Sequence, residues 1–437
     1  MLRLVGAVVL SLAVGLNTAD VATQQTQAAP AVQSAPHALP VTSYTLPPDK
    51  LVKAKALYLL RGRLRIIDTA LSFLILLGIL HFGVAARYRD WAEHASNWRF
   101  VQALIFIPLL LLSIDLLGLP LEIYQHHISL QYGLSIQRWG SWFADVLKGE
   151  AIGLILSTLL LGILFWIIVR SPRRWWFYFW LIAVPILFFV VFIAPYVIDP
   201  LFNKFEPLEK THADLVTAIE RVVERAGMYI PPERMFEMKA SEKVTTLNAY
   251  VTGFGASKRV VVYDTTIQKL TVPEILFVFG HEMGHYVLKH VFRGLVIGAI
   301  ALLLAFYLIY RTCGWVLARF KERWHIRELG DWAALPMLFL LLGVFGFIAE
   351  PITNTYSRHV EHQADIYGLE VTHSINPDSK QAAAHSFQVL GELSLDYPYP
   401  SKFTVLWFYN HPPTADRVRF SIDYDPWANG LSPKYLK

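Results

Sequence analysis

Residues 281–285 read His-Glu-Met-Gly-His. Two imidazoles four positions apart share one face of a helix, about 5–6 Å apart at Cβ. At that spacing both His281 and His285 reach a single zinc ion at roughly 2.0–2.1 Å. Glu282 lies one residue round the helix. It is placed to take a proton from an attacking water rather than to bind metal. Three fixed letters also arise by chance in a long chain, so their context decides. Catalytic zinc needs a third protein ligand and an open position for water. Cys313 is the only cysteine, so one zinc per chain must be held by His and carboxylate.

The elements around the motif are those such a site requires. Thr271 is an expected N-cap, with Pro273 and Glu274 in the first turn. Ile275, Leu276, Val278 and Phe279 carry the helix into His281, and the pattern continues it through His290 towards an apolar stretch. A helix is also expected over 213–226. Between these helices, Thr245–Val251 and Arg259–Tyr263 read as a β-hairpin around Gly253, Gly255 and Ser257. An exposed edge strand there could hold an extended peptide by main-chain hydrogen bonds; an ordinary hairpin covering a helix fits the pattern as well.

The third ligand is sought downstream. Residues 357–365 are helix-compatible, and Glu361 and Asp365 share a face. Glu361 is the expected ligand and Asp365 the acceptor that orients a ligand histidine; His359 and His362 are the alternative ligands. Solvated helix side chains are the bland alternative for all four. Near the carboxyl end, Pro412 and Pro413 suit the first turn of a short helix. His411 would stand at its start, able to donate to a developing oxyanion. Arg417 would pair with Glu361 or with substrate.

Composition places this chemistry in a membrane. Of 437 residues, 54% are hydrophobic and 17% charged, so much of the surface is expected in lipid. The formal charge of +5 belongs to residues flanking apolar segments, and no basic face with interleaved aromatics suggests nucleic acid. Six apolar stretches are candidate spans: 66–86, 100–119, 152–169, 175–198, 294–310 and 333–349. Residues 1–22 read as a signal peptide or anchor, and 23–49 as a flexible Ala/Gln/Pro-rich tether. A membrane domain of four spans (50–204), a metal-site domain with two further spans (205–424) and a tail (425–437) follow. Six basic residues between Lys50 and Arg65 place the chemistry in the cytoplasm. A cleaved signal peptide would place it outside, and the two signals conflict.

Taken together, these residues resemble the type I CAAX prenyl proteases, integral-membrane zinc metalloendopeptidases. The resemblance covers residues 51–419. It rests on Pro200-Leu201-Phe202-Asn203-Lys204-Phe205 leaving a span, on Asn248-Ala249-Tyr250, on 281–285, on Ser357-Arg358 through Glu361 to Ala364-Asp365, and on His411-Pro412-Pro413 with Arg417. It implies a mainly α polytopic bundle enclosing a chamber, with a zincin-like α+β unit carrying a small sheet. It also implies His281, His285 and Glu361 as zinc ligands, Glu282 as general base and acid, and Asn248 on a substrate-binding edge strand with Ala249 and Tyr250. His411 and Arg417 would stand near the transition state. Expected partners are a peptide or lipidated-peptide substrate and membrane lipid, with the chain a monomer in a bacterial-type inner membrane. A broad-specificity quality-control protease shares these residues. A transporter or receptor with a structural metal is the rival of another class, and the intact Glu282 argues against it.

Overall fold

The computed structural model describes residues 40–253, 258–428 and 430–436. The expected signal segment, and the tether through residue 39, lie outside the described residues. From the amino end come α1 (Pro48–His81), α2 (Val84–Ala95), α3 (Arg99–Gln131), α4 (Trp139–Arg170) and α5 (Trp175–Val197). A mixed unit follows, with β1 (Phe205–Pro207), α6 (Ala213–Arg225), β2 (Met235–Met238), β3 (Ala249–Thr252), β4 (Arg259–Tyr263) and α7 (Val272–Val287). The chain returns to long helices with α8 (His290–Phe320) and α9 (Leu335–His373), then closes with α10 (Ser379–Leu393), α11 (Lys402–Phe408) and α12 (Thr414–Asp423).

Six helices among the described residues are long and apolar enough to cross a membrane: α1, α3, α4, α5, α8 and α9. They fall where the six apolar stretches predict, but several run well past them. The basic residues from Lys50 to Arg65 are the opening turns of α1 itself. The helix α9 has 39 residues, about 58 Å at 1.5 Å per residue. That is nearly twice a hydrocarbon core of roughly 30 Å, so one rigid element carries Glu361 and Asp365 beyond its own apolar stretch. At the other end of the bundle Phe165 stacks on Trp332 at 4.6 Å. Buried Arg89 there pairs with Asp331 at 2.7 Å.

Two expectations are corrected. The tether does not stay flexible to residue 49. Tyr44 and Leu46 are buried, the backbone N–H of Val41 donates to Gln381 Oε1 at 2.9 Å, and the Tyr44 hydroxyl donates to the carbonyl of Asp396 at 2.8 Å. The polar composition hid two apolar side chains that find a partner in α10. Nor does the site helix run through His290. It ends at Val287, and Lys289 adopts φ 58°, a left-handed conformation uncommon for a residue with a Cβ. The helix α8 starts afresh at His290.

The expected hairpin is β3–β4, with Ala249 opposite Val262 and Thr252 opposite Arg259. It belongs to a four-stranded sheet in the order β1-β2-β4-β3. The strand β2 pairs parallel with β4, and β1 pairs antiparallel with β2. The strand β3 is therefore an edge, and its outer face is the one that sequence alone offered to a peptide. Val260 and Val262 of β4 are fully buried and pack into one core with Ile219, Phe279 and Met283, fixing α7 against the sheet.

The helix α7 starts on a capping box, in which Thr271 and Glu274 satisfy each other's backbone N–H groups. Each such cap contributes about 1 kcal/mol. The second oxygen of Glu274 contacts the ring of His385 on α10, so the same carboxylate fixes both the start of α7 and its neighbour. The helix α7 then lies unusually close to α9. A Cβ added at Gly280 would stand 2.7 Å from Val371 Cγ1, and one at Gly284 3.2 Å from the Cα of Ala364. From the other side, a Cβ at Gly368 would meet the His281 backbone nitrogen at 3.0 Å. Replacing Gly280 with Ala is expected to force the two helices apart and to lower stability by about 1–3 kcal/mol. Thermal unfolding of the detergent-solubilised chain measures it, and an unchanged midpoint would show that the interface yields without loss.

Candidate metal centre

Two elements bring the ligand candidates together. The helix α7 presents His281 and His285, and α9 presents Glu361. Their ligand atoms lie within 4.8 Å of one another, the one such group of three among the described residues. His281 Nε2 is 3.1 Å from His285 Nε2 and 3.3 Å from Glu361 Oε2. His285 Nε2 is 3.6 Å from Glu361 Oε1. Atoms bound tetrahedrally to one ion at roughly 2.0–2.1 Å stand about 3.3 Å apart. Glu361 is 3% exposed, and its Oε2 has no hydrogen-bond partner among the described residues. An orphaned carboxylate oxygen facing two imidazole nitrogens is costly unless a cation completes it. The donor set of two imidazoles and one carboxylate fits such a cation.

Each histidine is held from behind by a different device. His281 Nδ1 bonds Asp365 Oδ1 at 2.8 Å, and Asp365 is gripped by Arg417 through Nη2 at 2.6 Å and Nε at 3.0 Å. The Arg417 guanidinium lies 4.1 Å over the Phe387 ring. Arg417 thus pairs with Asp365 and not with Glu361, correcting the first of its two expected partners. Behind His285 stands His290. The two Nδ1 atoms are 3.3 Å apart, and His290 Nε2 is 3.0 Å from Gln363 Oε1. If His285 offers Nε2 to a metal, its Nδ1–H donates to His290, whose own proton then sits on Nε2 and points at Gln363. Neither His290 nor Gln363 follows from the sequence pattern. Their roles depend on the break at Lys289, which carries no glycine to announce it.

The electrostatics separate the groups. Burial drives the His285 ring down to about 3, keeping it neutral. Burial also lowers His281, but the Asp365 and Glu361 carboxylates outweigh it and raise the ring to about 10. Burial pushes the Glu282 carboxyl up, His281 restrains it and Glu361 adds to the rise, leaving it at about 7. Burial holds His411 below its ordinary value against the pull of Glu361.

The remaining candidates fall at varying distances. His411 Nε2 is 3.3 Å from Glu361 Oε2, while the prolines after it precede α12 rather than open it. His359 is exposed and contacts Gln363 at 3.3 Å. His362 packs edge-on to Phe420 at 4.5 Å. Neither joins the three-residue cluster. Asn248 sits just before β3; its backbone N–H donates to Thr266 Oγ1 at 2.8 Å and its side chain bonds Tyr263. Tyr263, whose phenol burial lifts to about 12, lies close enough to Glu282 to feel its charge. Ala249 is buried. The Tyr250 hydroxyl donates to Asp199 Oδ2 at 3.4 Å, so its side chain faces its own fold.

Known proteins resemble this chain along most of its length. Residues 29–204 match a family model described as CAAX prenyl protease N-terminal, five membrane helices, and residues 209–421 match Peptidase family M48. Over 372 residues the chain is 36% identical to the uncharacterized metalloprotease YhfN of Bacillus subtilis (strain 168), covering 85% of each chain. The chain belongs to peptidase family M48. Another relative, the CAAX prenyl protease 1 homolog of Homo sapiens, is 25% identical over 382 residues and 77% of each chain. The fold is that of the S. mikatae Ste24p crystal structure, with a TM-score of 0.72 at 23% identity over 86% of this chain and 89% of that one. This M48 chain is a multi-pass integral membrane metalloprotease. Of the five membrane helices in the N-terminal description, residues 40–204 contain four.

Removing an outer partner of a metal-bound histidine costs roughly 10- to 100-fold in metal affinity. His290→Ala is expected to show that loss in a chelator-competition titration. Unchanged affinity would remove His290 from the support of the centre.

Proposed function

We propose that this metalloprotease holds one zinc ion through His281, His285 and Glu361 and hydrolyses peptides near a prenylated CAAX-type carboxyl terminus. The observation that carries the metal assignment is the buried Glu361 carboxylate, whose two oxygens stand 3.3 Å from His281 Nε2 and 3.6 Å from His285 Nε2 where helices α7 and α9 meet. The substrate class comes from the relatives' names and from the edge strand β3.

A zinc ion in this set supplies Lewis acidity and brings water to a pKa of about 7. The chain's own groups do the rest. An extended substrate pairs along β3, which holds its backbone in line without demands on side-chain identity. Glu282 accepts a proton from the attacking water and passes it to the leaving amine. A carboxyl near neutrality is suited to both transfers. His411, neutral and beside Glu361, donates to the oxygen on which charge develops. To donate from Nε2 it must accept at Nδ1, which the neighbouring Asn410 amide provides when its NH₂ faces the ring. Arg417 acts at one remove, by fixing Asp365 and through it His281.

General acid–base groups contribute typically 100- to 10,000-fold. Glu282→Gln is expected to lose activity on that scale while metal analysis by mass spectrometry still finds one zinc. Glu361→Ala is expected to lose the zinc itself. Retained cleavage in the first variant would overturn the assignment of Glu282, and full zinc occupancy in the second would move the ligand elsewhere. Substrate class is tested separately, with matched prenylated and plain peptides. Preference for the prenylated form is expected, and equal rates would favour a broad quality-control protease working through the same residues.

A further inference from the structure

A pocket of about 430 Å³ opens beside the metal centre, between the start of α8 and the middle of α9. Its polar lining is His290, Arg293, Tyr356, His359 and Gln363, with Val296 on the apolar side. Two of these, His290 and Gln363, are the same residues that stand behind His285. The pocket is therefore continuous with the centre, not a separate surface feature. No carboxylate lines it.

Arg293 sets its character. Several other cationic side chains are engaged, as in Arg89 with Asp331, Arg259 with Asp199 and Arg417 with Asp365. The exposed Arg293 side chain makes no hydrogen bond or ion pair among the described residues, yet its charge reaches His290 and Tyr356. An unengaged guanidinium over an apolar wall, with a phenol and two imidazoles alongside and no competing acid, matches one chemical group well. That group is a carboxylate on an apolar residue, which a guanidinium binds through two parallel N–H bonds.

The distances suit a peptide terminus. Arg293 stands three residues, about 4.5 Å of helical rise, beyond His290, which touches His285. An extended peptide advances about 3.3–3.6 Å per residue, so a carboxyl terminus a few residues past the cut reaches the guanidinium. We propose that this pocket takes the last residue of the substrate, with Arg293 holding its free carboxylate and Val296 and Tyr356 flanking its side chain. The pocket would then fix how far from the terminus the chain is cut. This rests on the assignment of the metal and of peptidase activity above.

The test uses the full zinc-loaded chain and one peptide ending in a CAAX box, prepared as the free acid and as the C-terminal amide. The wild type is expected to favour the acid in kcat/KM by about 10- to 100-fold, the range of a charge-assisted pair. Arg293→Gln is expected to bring the acid-to-amide ratio towards unity, and Arg293→Lys to restore part of it. Equal rates for the two peptides in the wild type, or an unchanged ratio in Arg293→Gln, would overturn the proposal. Cleavage of neither peptide would instead bring down the peptidase assignment. The pocket is then judged by calorimetric binding of the two peptides to the wild type and to Arg293→Gln. A preference for the acid that Arg293→Gln loses sustains the subsite, and equal affinities end it.

Discussion

The centre depends on how closely two helices approach. The ligand candidates of α7 and α9 meet at a crossing where the backbones come nearer than side chains of ordinary size allow. Gly280, Gly284 and Gly368 make that approach possible, since a Cβ at any of them would lie 2.7–3.0 Å from an atom of the facing helix. A glycine inside a helix is unfavourable by roughly 0.5–1 kcal/mol relative to alanine. Three such positions at one crossing are explained by what the crossing carries. The interface is set at the level of His281 and of Glu361, and the same contacts that pack the helices fix the distance between the ligands.

With that distance fixed, the two histidines need orienting, and the fold does it in two electrically different ways. Behind His281 stands an anion, Asp365, itself neutralised by Arg417. Behind His285 stands a neutral imidazole and an amide. The Asp365–Arg417 pair adds orientation without net charge, so Glu361 is the one ligand that brings a full negative charge. A divalent ion held by such a set would keep a net positive charge, which would favour the developing negative charge of an attacked carbonyl. Two carboxylates supporting both rings, with no arginine between, would have cancelled that advantage.

Much of this could be seen in the sequence wherever the signal was local. H-E-x-x-H, the Thr271–Glu274 cap and the 361/365 spacing each sit within a few turns of one helix, where periodicity translates directly into a shared face. The apolar stretches located all six long helices for the same reason. What escaped was tertiary. The strands β1 and β2 have three and four residues, too few to show an alternation. Phe205 and Phe236 alone do not announce a sheet. His290 looked like a continuation of the site helix because Lys289 turns the chain in a conformation that its own side chain does not favour. Arg417 bonds Asp365, a partner that spacing alone does not choose over Glu361, because the two carboxylates point in different directions.

The segment before α1 shows how far the support of the centre extends. The Tyr44 ring sits at the crossing of α10 and α12, where a Cβ on Gly391 would be 2.7 Å from both that ring and Thr414. Its hydroxyl donates to the carbonyl of Asp396, and the Asp396 carboxylate accepts from Thr414 Oγ1 at 2.7 Å. Thr414 is the first residue of α12, and Arg417 stands one turn further on. A continuous set of contacts therefore runs from Tyr44 through Thr414 and Arg417 to Asp365 and the ring of His281. Ordering residues 41–46 costs backbone entropy of about 1–2 kcal/mol per residue, which a dangling linker would not incur. That expense is intelligible if the strap wedges α12 in place. A segment far from Arg417 in sequence is then one of the elements that sets the orientation of the His281 ring.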